Sequence, residues 1–342
     1  MRHKKYLIII YICLQIIPCK SQITILAKDT NTSMRGLCAV DDKVVWACGS
    51  KGWIAKSVDG KNFRFWQPKG YEKCEFRDVE AFDSNNAYVL AVTRPAIILK
   101  TIDGGISWME TYRNEDTNIF LDALSFRDKE SGVAVGDPIN GEFFELYTFT
   151  GMVWFKSFKA PLDSVYNEGM FAASGTCMRV WGKRGFAFVT GGSISRLYWQ
   201  PDYFDHDSVY NIDTSLIQQG NSGAGSFSFC WLRNRPNYYT PTCIIVGGDY
   251  TKENLAEKNA VIIKDGIQIK PKKLPGGYRE CVEQAGKYYI CCGPNGVDIS
   301  KDGDVWESYS AEGFHVVQKA KNGKKIFLAG GKGKIGVIGS IK

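Results

Sequence analysis

Charged residues recur at one position in a repeated pattern, about fourteen residues before the end of successive apolar runs. They are Arg35, Arg77 with Asp78, Asp122, Arg279 with Glu280, and His315. Arginine and carboxylate groups form charge-assisted hydrogen bonds, so a cluster of them suits a carboxylate-bearing or zwitterionic ligand. A network of ion pairs that only holds neighbouring units together would use the same residues. The sequence leaves both alternatives open.

Further charged residues follow or accompany the same runs. Glu168 lies in "NEGMFAAS", and the loops after the runs supply Arg94, Asp137, Arg196 and Asp249. We expect all of them at the mouth of one channel, and we call the twelve residues of these two paragraphs the funnel candidates.

Other patterns that suggest cofactor or metal chemistry are weak. "GKGKIG" (331–336) spells GxGxxG, but the chain leaves no room for the helix that a dinucleotide site requires. Asp202, Asp205, His206 and Asp207 could bind a divalent cation, although a solvated acidic loop explains them better. We predict no metal and no cofactor.

The N-terminus predicts export. Basic residues precede an apolar stretch at 6–18, which is too short to span a bilayer, and Cys19-Lys20-Ser21 follows it. We therefore predict a signal peptide at 1–21 and a periplasmic or extracellular protein; lipidation of Cys19, giving an outer-membrane lipoprotein, is the alternative that Pro18 disfavours. Cleavage would remove four basic residues and no acid, so the formal charge falls from +7 to +3. That charge gives no electrostatic argument for binding nucleic acid or, without a lipid anchor, a membrane.

Five short motifs share one layout: "SVDGKNF" (57–63), "TIDGGISW" (101–108), "TFTGMVW" (148–154), "IKDGIQI" (263–269) and "SKDGDVW" (300–306). Each predicts a hairpin turn in which aspartate accepts backbone N–H bonds, glycine adopts positive φ and a terminal aromatic residue packs in the core. The predicted turn residues are Ser57, Asp59, Gly60, Thr101, Asp103, Gly105, Trp108, Trp154, Asp265, Ser300, Asp302, Gly303 and Trp306.

Seven apolar runs that end in small residues, such as "VVWACG" and "YYICCG", recur at intervals of 37 to 56 residues. Units of this length with about four short strands and no helical periodicity are typical of β-propeller blades. We predict an all-β, seven-bladed propeller in a single domain over 22–342, closed by Ile23–Ala27 pairing with the last blade. The polar insertions at 201–215 and 234–241 are predicted to be loops.

"TIDGGISW" and "SKDGDVW" resemble the Asp-boxes, or BNR repeats, of sialidases, sortilin-type receptors and some xyloglucan-cleaving enzymes. The region 22–342, with "FRDVEAF", "GYRECVE" and "GFHVVQKAKNGKKIFLAGGKGKIG", is similar to exported seven-bladed propellers related to the photosystem II stability and assembly factor. Such relatives occur in non-photosynthetic bacteria, notably Bacteroidetes. The resemblance implies the fold more strongly than the function, because the same turn serves enzymes, receptors and assembly factors.

We therefore expect a non-enzymatic binding or assembly scaffold of the cell envelope that holds a protein partner through the funnel candidates and the loop insertions. The alternative is a sialidase-like or other Asp-box glycoside hydrolase, or a glycan-binding protein. Sialidase chemistry needs an arginine cluster, a tyrosine nucleophile paired with a glutamate, and an aspartic acid as proton donor. The nine cysteines beyond residue 21 lie largely in apolar runs and are predicted to be mostly free thiols.

Overall fold

The computed structural model describes residues 23–28, 30–92, 94–157, 166–181, 185–202, 210–233, 241–339 and 341. The predicted signal peptide at 1–21 with Cys19, the acidic loop residues Asp205, His206 and Asp207, and most of the insertion at 234–241 lie outside these residues. The described part contains strands and two short 3-10 turns, Tyr250–Lys252 and Gly331–Gly333, but no α-helix. Within that part, no helix has the length and apolar character needed to cross a membrane.

The strands form seven antiparallel sheets, which are the blades of a seven-bladed β-propeller, as the sequence predicted. After β1 (Ile23–Ala27), blade 1 contains β2 (Met34–Ala39), β3 (Val45–Gly49), β4 (Ile54–Ser57) and β5 (Arg64–Trp66). Blade 2 contains β6 (Phe76–Ala81), β7 (Ala87–Ala91), β8 (Ala96–Thr101) and β9 (Met109–Asn114). Blade 3 contains β10 (Leu121–Phe126), β11 (Gly132–Ile139), β12 (Glu142–Thr148) and β13 (Phe155–Lys156).

The remaining blades follow in chain order. After β14 (Glu168–Gly169), blade 4 contains β15 (Met178–Trp181), β16 (Gly185–Val189), β18 (Arg196–Gln200) and β19 (Asn211–Thr214), and β17 (Gly191–Gly192) joins β14 to the sheet of blade 5. Blade 5 contains β20 (Ala224–Trp231), β21 (Cys243–Asp249), β22 (Ala260–Lys264) and β23 (Ile267–Ile269). Blade 6 contains β24 (Cys281–Ala285), β25 (Tyr288–Gly293), β26 (Gly296–Ser300) and β27 (Glu307–Ser310); blade 7 contains β28 (Val316–Lys319), β29 (Ile326–Ala329) and β30 (Ile335–Ile338).

The ring is closed by the first strand. β1 runs antiparallel to β30, with Ile23 opposite Ile338 and Ala27 opposite Ile335. β1 is thus the outermost strand of blade 7, which confirms the predicted closure and covers an edge that would otherwise be free to pair with another chain.

The core lies between neighbouring blades. The second strand of a blade is buried on both sides, as β3, β7, β16 and β25 show, because a blade packs against a neighbour on each face. Aromatic side chains fill these interfaces; Trp46 meets Trp66 and Trp108 edge-on. The nine described cysteines are free thiols, and all except Cys74 are buried.

Four of the five hairpin motifs close a blade in the predicted way, between its third and fourth strands. In blade 1, Asp59 accepts backbone bonds from Lys61 and Asn62 at 2.8 Å, and Ser57 accepts one from Gly60 at 2.9 Å, where φ is +67°. The motifs around Asp103 and Asp302 repeat these contacts. In blade 3 a threonine replaces the aspartate, and its hydroxyl accepts a single bond at 3.2 Å.

Two details differ from the prediction. Asp265 and Gly266 form a two-residue turn with φ values of +53° and +77°. Asp265 serves this turn through its backbone conformation, and its carboxylate accepts no hydrogen bond from a described amide of the turn. Ile263 has no hydroxyl with which to bridge a longer turn, and Asp-Gly is a preferred pair for this tight hairpin. Residues 211–214, predicted to be part of a loop, instead form β19, which pairs with β18 as the outer strand of blade 4.

Candidate functional site

The antiparallel order of the strands gives the disc two different faces. Each inner strand begins, and each second strand ends, on one face, which we call the funnel face. The hairpins between third and fourth strands lie on the other, which we call the hairpin face. The funnel candidates and the hairpin motifs are therefore on opposite sides of the molecule.

A β-bulge recurs at the start of the inner strand in four blades. The register skips one residue each time: Arg35, Arg77, Asp122 and Phe227. A bulge re-aims a side chain out of the regular alternation. Glu280 and His315 occupy the corresponding positions before β24 and β28, where their amides donate to the carbonyl groups of the second strands. The residue at this position lines the cavity described next in five of these six blades, and Asp122 is the exception.

A cavity of about 570 Å³ opens on the funnel face. Residues from all seven blades or their entry segments line it, so it lies on the propeller axis; we call it the axial cavity. Five funnel candidates line it, namely Arg35, Arg77, Asp137, Glu280 and His315. The sequence did not predict the other lining residues: Phe120, Met170, Phe171, Ala172, Ala173, Phe227, Tyr250, Glu253, Tyr278 and Pro294.

The floor of the axial cavity is a stretch of backbone, residues 169–176, which we call the crossing segment. Arg77 donates to the Ala172 carbonyl at 3.2 Å, and Arg35 donates to the Ala173 carbonyl at 3.1 Å. On another side, Asp137 Oδ1 accepts the Met170 amide at 2.8 Å. The crossing segment enters blade 4 but is held by side chains from blades 1, 2 and 3, so it crosses the propeller axis beside the cavity.

Glu280 is the centre of one charged cluster at the cavity wall. His315 Nδ1 lies 2.5 Å from its Oε2, and Arg35 Nη1 lies 3.4 Å from its Oε1. Burial raises the pKa of Glu280, but His315 and Arg35 outweigh that effect and hold the pKa below its usual value. The Ser33 hydroxyl, 3.0 Å from His315 Nε2, fixes the other side of the imidazole ring. Glu280 is therefore an ionised and well-anchored carboxylate.

Arg77 is the cavity cation with the longest ion pair. Its nearest carboxylate oxygen, on Glu75, is 3.9 Å away, and its Nε is buried without a hydrogen-bond partner among the described residues. Burial, with the neighbouring Arg35, lowers the pKa of Arg77. An incoming carboxylate would supply a closer countercharge than Glu75 and the acceptor that Nε lacks.

Three acids with raised pKa values stand on the side of blades 2 and 3, of which Asp78 and Asp122 are buried and Asp137 is half-buried. Burial raises the pKa of Asp137 to about 6, and it raises the pKa values of Asp78 and Asp122 well above the usual range. Asp78 accepts the Leu124 amide at 2.8 Å. The carboxyl oxygens of Asp122 complete no hydrogen bond within the described chain, although the Ala172 amide is close to them. Asp78 and Asp122 lie behind the cavity, and only Asp137 lines it.

An aromatic wall faces the charged groups. Phe171 and Phe227 stack with ring centroids 3.8 Å apart, and Tyr250 meets both edge-on at 6.5 Å. Tyr250 is 49% exposed, so the wall is open to solvent. The fourteen-residue spacing missed Phe227 because the insertion after β20 lengthens the count in blade 5. Aligning the blades at the bulge of the inner strand, instead of counting back from the end of the second strand, identifies Phe227.

Three funnel candidates lie elsewhere and are corrections to the prediction. Arg279 is 2% exposed and bonds to Asp298 at 2.7 Å within blade 6. Glu168 and Arg196 form a buried ion pair at 2.5 Å, to which Tyr198 also donates. These three residues are paired with one another or with Asp298 and do not line the axial cavity, which is the arrangement that the alternative of a structural network predicts.

The last two candidates have peripheral positions. Asp249 caps the short turn that follows β21, accepting the Thr251 amide at 2.9 Å. Arg94 is exposed on the loop between β7 and β8, outside the axial cavity. Over the described ranges, no group of three or more histidine, cysteine or acidic side chains is arranged to hold a metal ion.

These features define a seven-bladed β-propeller with a polar and aromatic cavity on its axis. No family model and no curated protein matches the sequence. Among solved structures, the chain is similar in fold to YCF48 bound to a D1 peptide, with a TM-score of 0.64, 12% identity and coverage of 94% of this chain and 97% of that one. YCF48 from Cyanidioschyzon merolae gives a TM-score of 0.60, 12% identity and coverage of 92% and 98%. A catalytically inactive virginiamycin B lyase from Staphylococcus aureus with quinupristin gives a TM-score of 0.62 and 11% identity. The match covers 93% of this chain and 99% of that one.

Proposed function

We propose that this protein is an exported, non-enzymatic scaffold of the cell envelope that binds a segment of a partner protein in the axial cavity. The observation that carries the proposal is Arg77, a cavity-lining cation whose buried Nε has no partner among the described residues. Its carbonyl bond to the crossing segment and its long ion pair with Glu75, at 3.9 Å, leave Nε without an acceptor, and a carboxylate of the partner would supply a close one.

The composition of the cavity supports a peptide-like ligand over a small ion. Charged groups on blades 1, 6 and 7 face an aromatic wall built by Phe171, Phe227 and Tyr250. Aromatic and arginine side chains are enriched where proteins bind one another. The structural neighbour YCF48 carries a D1 peptide, and we propose that the present propeller likewise binds a protein segment, of unspecified sequence.

The test is affinity purification from the native envelope with the wild type and an Arg35→Ala, Arg77→Ala double variant. We expect a partner that copurifies with the wild type and is reduced at least about tenfold with the double variant, because hydrogen bonds to charged groups contribute roughly 1.5–3 kcal/mol each. Arg94→Ala is the matched control, since Arg94 is exposed on the same face outside the cavity.

Equal retention of the partner by the double variant and by Arg94→Ala would remove the axial cavity from the binding model. Export is part of the proposal and rests on the signal segment expected at 1–21. N-terminal sequencing of the protein from the native cell tests it: a mature N-terminus at Gln22 supports export, and an intact Met1 opposes it.

A second function, glycoside cleavage of the sialidase type, is favoured by one specific arrangement. The hydroxyl of Tyr278 lies 3.4 Å from Glu280 Oε1, two arginines line the same cavity, and Asp137 has a pKa raised to about 6. A protonated acid and an ionised carboxylate in one site are the pattern of acid–base catalysis. However, Tyr278 is 2% exposed, and burial with Glu280 raises its pKa, so the hydroxyl is a poor nucleophile. Binding therefore ranks first.

Fluorogenic sialosides and β-glycosides, assayed between pH 4 and 8, decide between the two functions. An enzyme using Asp137 as the acid would lose activity above pH 6, and Asp137→Asn would abolish turnover while leaving the fold intact. Absence of turnover by the wild type across this panel would exclude the hydrolase function for these substrates.

A further inference from the structure

A second cavity, of about 590 Å³, lies on the hairpin face between blades 5 and 6. Five basic side chains line it: Arg233, Lys264, Lys270, Lys272 and Lys301. We call it the cationic groove. It shares no residue with the axial cavity, and the proposed function does not use it.

The two acids of the groove are already engaged. Asp302 accepts the backbone amides of Asp304 and Val305 within its own hairpin, at 2.9 and 3.3 Å. Asp304 forms an ion pair with Lys272 at 2.6 Å. The other four basic side chains form no ion pair with the described residues, so the groove retains an excess of positive charge.

The wall of the groove also contains hydrogen-bond donors without an internal acceptor. Thr242 is 3% exposed, and its hydroxyl has no partner among the residues that the structure describes. The hydroxyl of Tyr289 accepts the Arg233 amide at 3.1 Å, which leaves its own proton to donate. A buried hydroxyl without a partner costs stability, so its place on the groove wall points to a ligand that accepts its bond.

The shape and lining restrict the class of anion. A single exposed lysine contributes little, so useful affinity requires a ligand with several negative charges. No exposed aromatic ring is available for base stacking among the described residues of the groove, because Tyr289 is only 4% exposed. The site is recessed between two blades, which suits a polymer chain better than a flat bilayer surface.

We propose that the cationic groove binds a segment of an anionic glycan, with the sulfate or carboxylate groups paired to Lys264, Lys301 and Arg233 and one oxygen accepting from Thr242. The hairpin face then attaches the protein to an extracellular or envelope polymer, while the funnel face remains open to the protein partner.

The test is calorimetric titration of the full chain with a heparin-derived octasaccharide and with its desulfated, N-acetylated counterpart. We expect binding of the sulfated chain that weakens as salt increases, and at least tenfold weaker binding of the desulfated one. A Lys264→Glu, Lys301→Glu variant should lose affinity at least tenfold. The matched control is Lys28→Glu, Lys332→Glu, which makes the same charge change beside a separate groove on the funnel face.

Thr242→Val separates a built site from a general basic surface. The variant removes a buried hydroxyl without a partner, so the fold should remain as stable as the wild type or become more stable. Affinity for the octasaccharide should fall about threefold to tenfold. The proposal is wrong if the octasaccharide does not bind, if both double variants lose affinity equally, or if Thr242→Val has no effect while single-stranded DNA binds as tightly.

Discussion

Two glutamate-centred clusters use the same residue types for different purposes. Glu280 lines the axial cavity, and its partners Arg35 and His315 do so too, at 3.4 and 2.5 Å. Glu168 instead pairs with Arg196 inside the blades, where its carboxylate also accepts from Tyr198 and Thr190. The first cluster shares one carboxylate between two basic groups and retains contact with solvent, whereas the second is a complete, desolvated pair. Residue type and spacing in the sequence therefore cannot distinguish a charged cluster that lines a binding cavity from a buried ion pair that stabilises the fold.

The largest expected effect separates the two clusters by stability. Glu168→Ala leaves Arg196 buried without its carboxylate, which should lower the free energy of unfolding by about 3–5 kcal/mol. Glu280→Ala should cost about 1–2 kcal/mol, because Arg35 keeps its bond to the Ala173 carbonyl and reaches water. Urea denaturation followed by tryptophan fluorescence measures both.

Similar losses of unfolding free energy in the two variants would show that Glu280 stabilises the fold as much as Glu168 does. That result would contradict the assignment of the axial cavity as a binding site. A larger loss for Glu280 would reverse the comparison. Glu312→Ala, which changes an exposed acid on the same face, controls for the general effect of removing a carboxylate.

The second prediction concerns Asp137, which lines the cavity opposite the Glu280 cluster. Burial raises its pKa to about 6, so at pH 7.5 the folded state carries an ionised carboxylate in a poor environment. As pH falls through 6, the folded state takes up a proton that the unfolded state does not, and stability from this group rises until the pH passes the unfolded pKa. Asp137→Asn should therefore be more stable than the wild type at pH 7.5, by roughly 1–3 kcal/mol.

The pH dependence is the sharper part of that prediction. The stability difference between Asp137→Asn and the wild type should shrink as pH falls from 7.5 to 5, measured by denaturation at each pH. Asparagine can still accept the Met170 amide, so the crossing segment keeps this contact. A difference that is constant with pH would mean that Asp137 does not titrate in this range.

The fold could be predicted from the sequence because its signals are local and repeated. Turn motifs and apolar runs recur in successive blades, so errors in one unit, such as the outer strand β19, do not change the count. The cavity depends on non-local contacts. Nothing in the residues "MFAASGTC" indicates that this segment crosses the axis to meet Arg35 and Arg77, although its small side chains permit that close approach.

The same reasoning explains which funnel candidates were misplaced. Arg279 and Glu280 are adjacent, and alternation sends one into blade 6 and the other to the cavity. A sequence read without its register cannot tell which of the two faces the axis. The pairing of β24 with β25, which sets this register, is visible only in the structure.

The smallest expected effect tests geometry with charge held constant. Arg196 approaches Glu168 with two nitrogens, Nε at 3.1 Å and Nη2 at 2.5 Å, a fork that lysine cannot reproduce. Arg196→Lys should thus cost about 1–2 kcal/mol of stability. Arg35 touches Glu280 through one nitrogen at 3.4 Å, so Arg35→Lys should change stability by less than about 0.5 kcal/mol. Thermal denaturation of both variants measures the difference. If Arg35→Lys lowered stability more than Arg196→Lys, the Glu280 cluster would contribute more to stability than the Glu168 cluster, the reverse of what we expect.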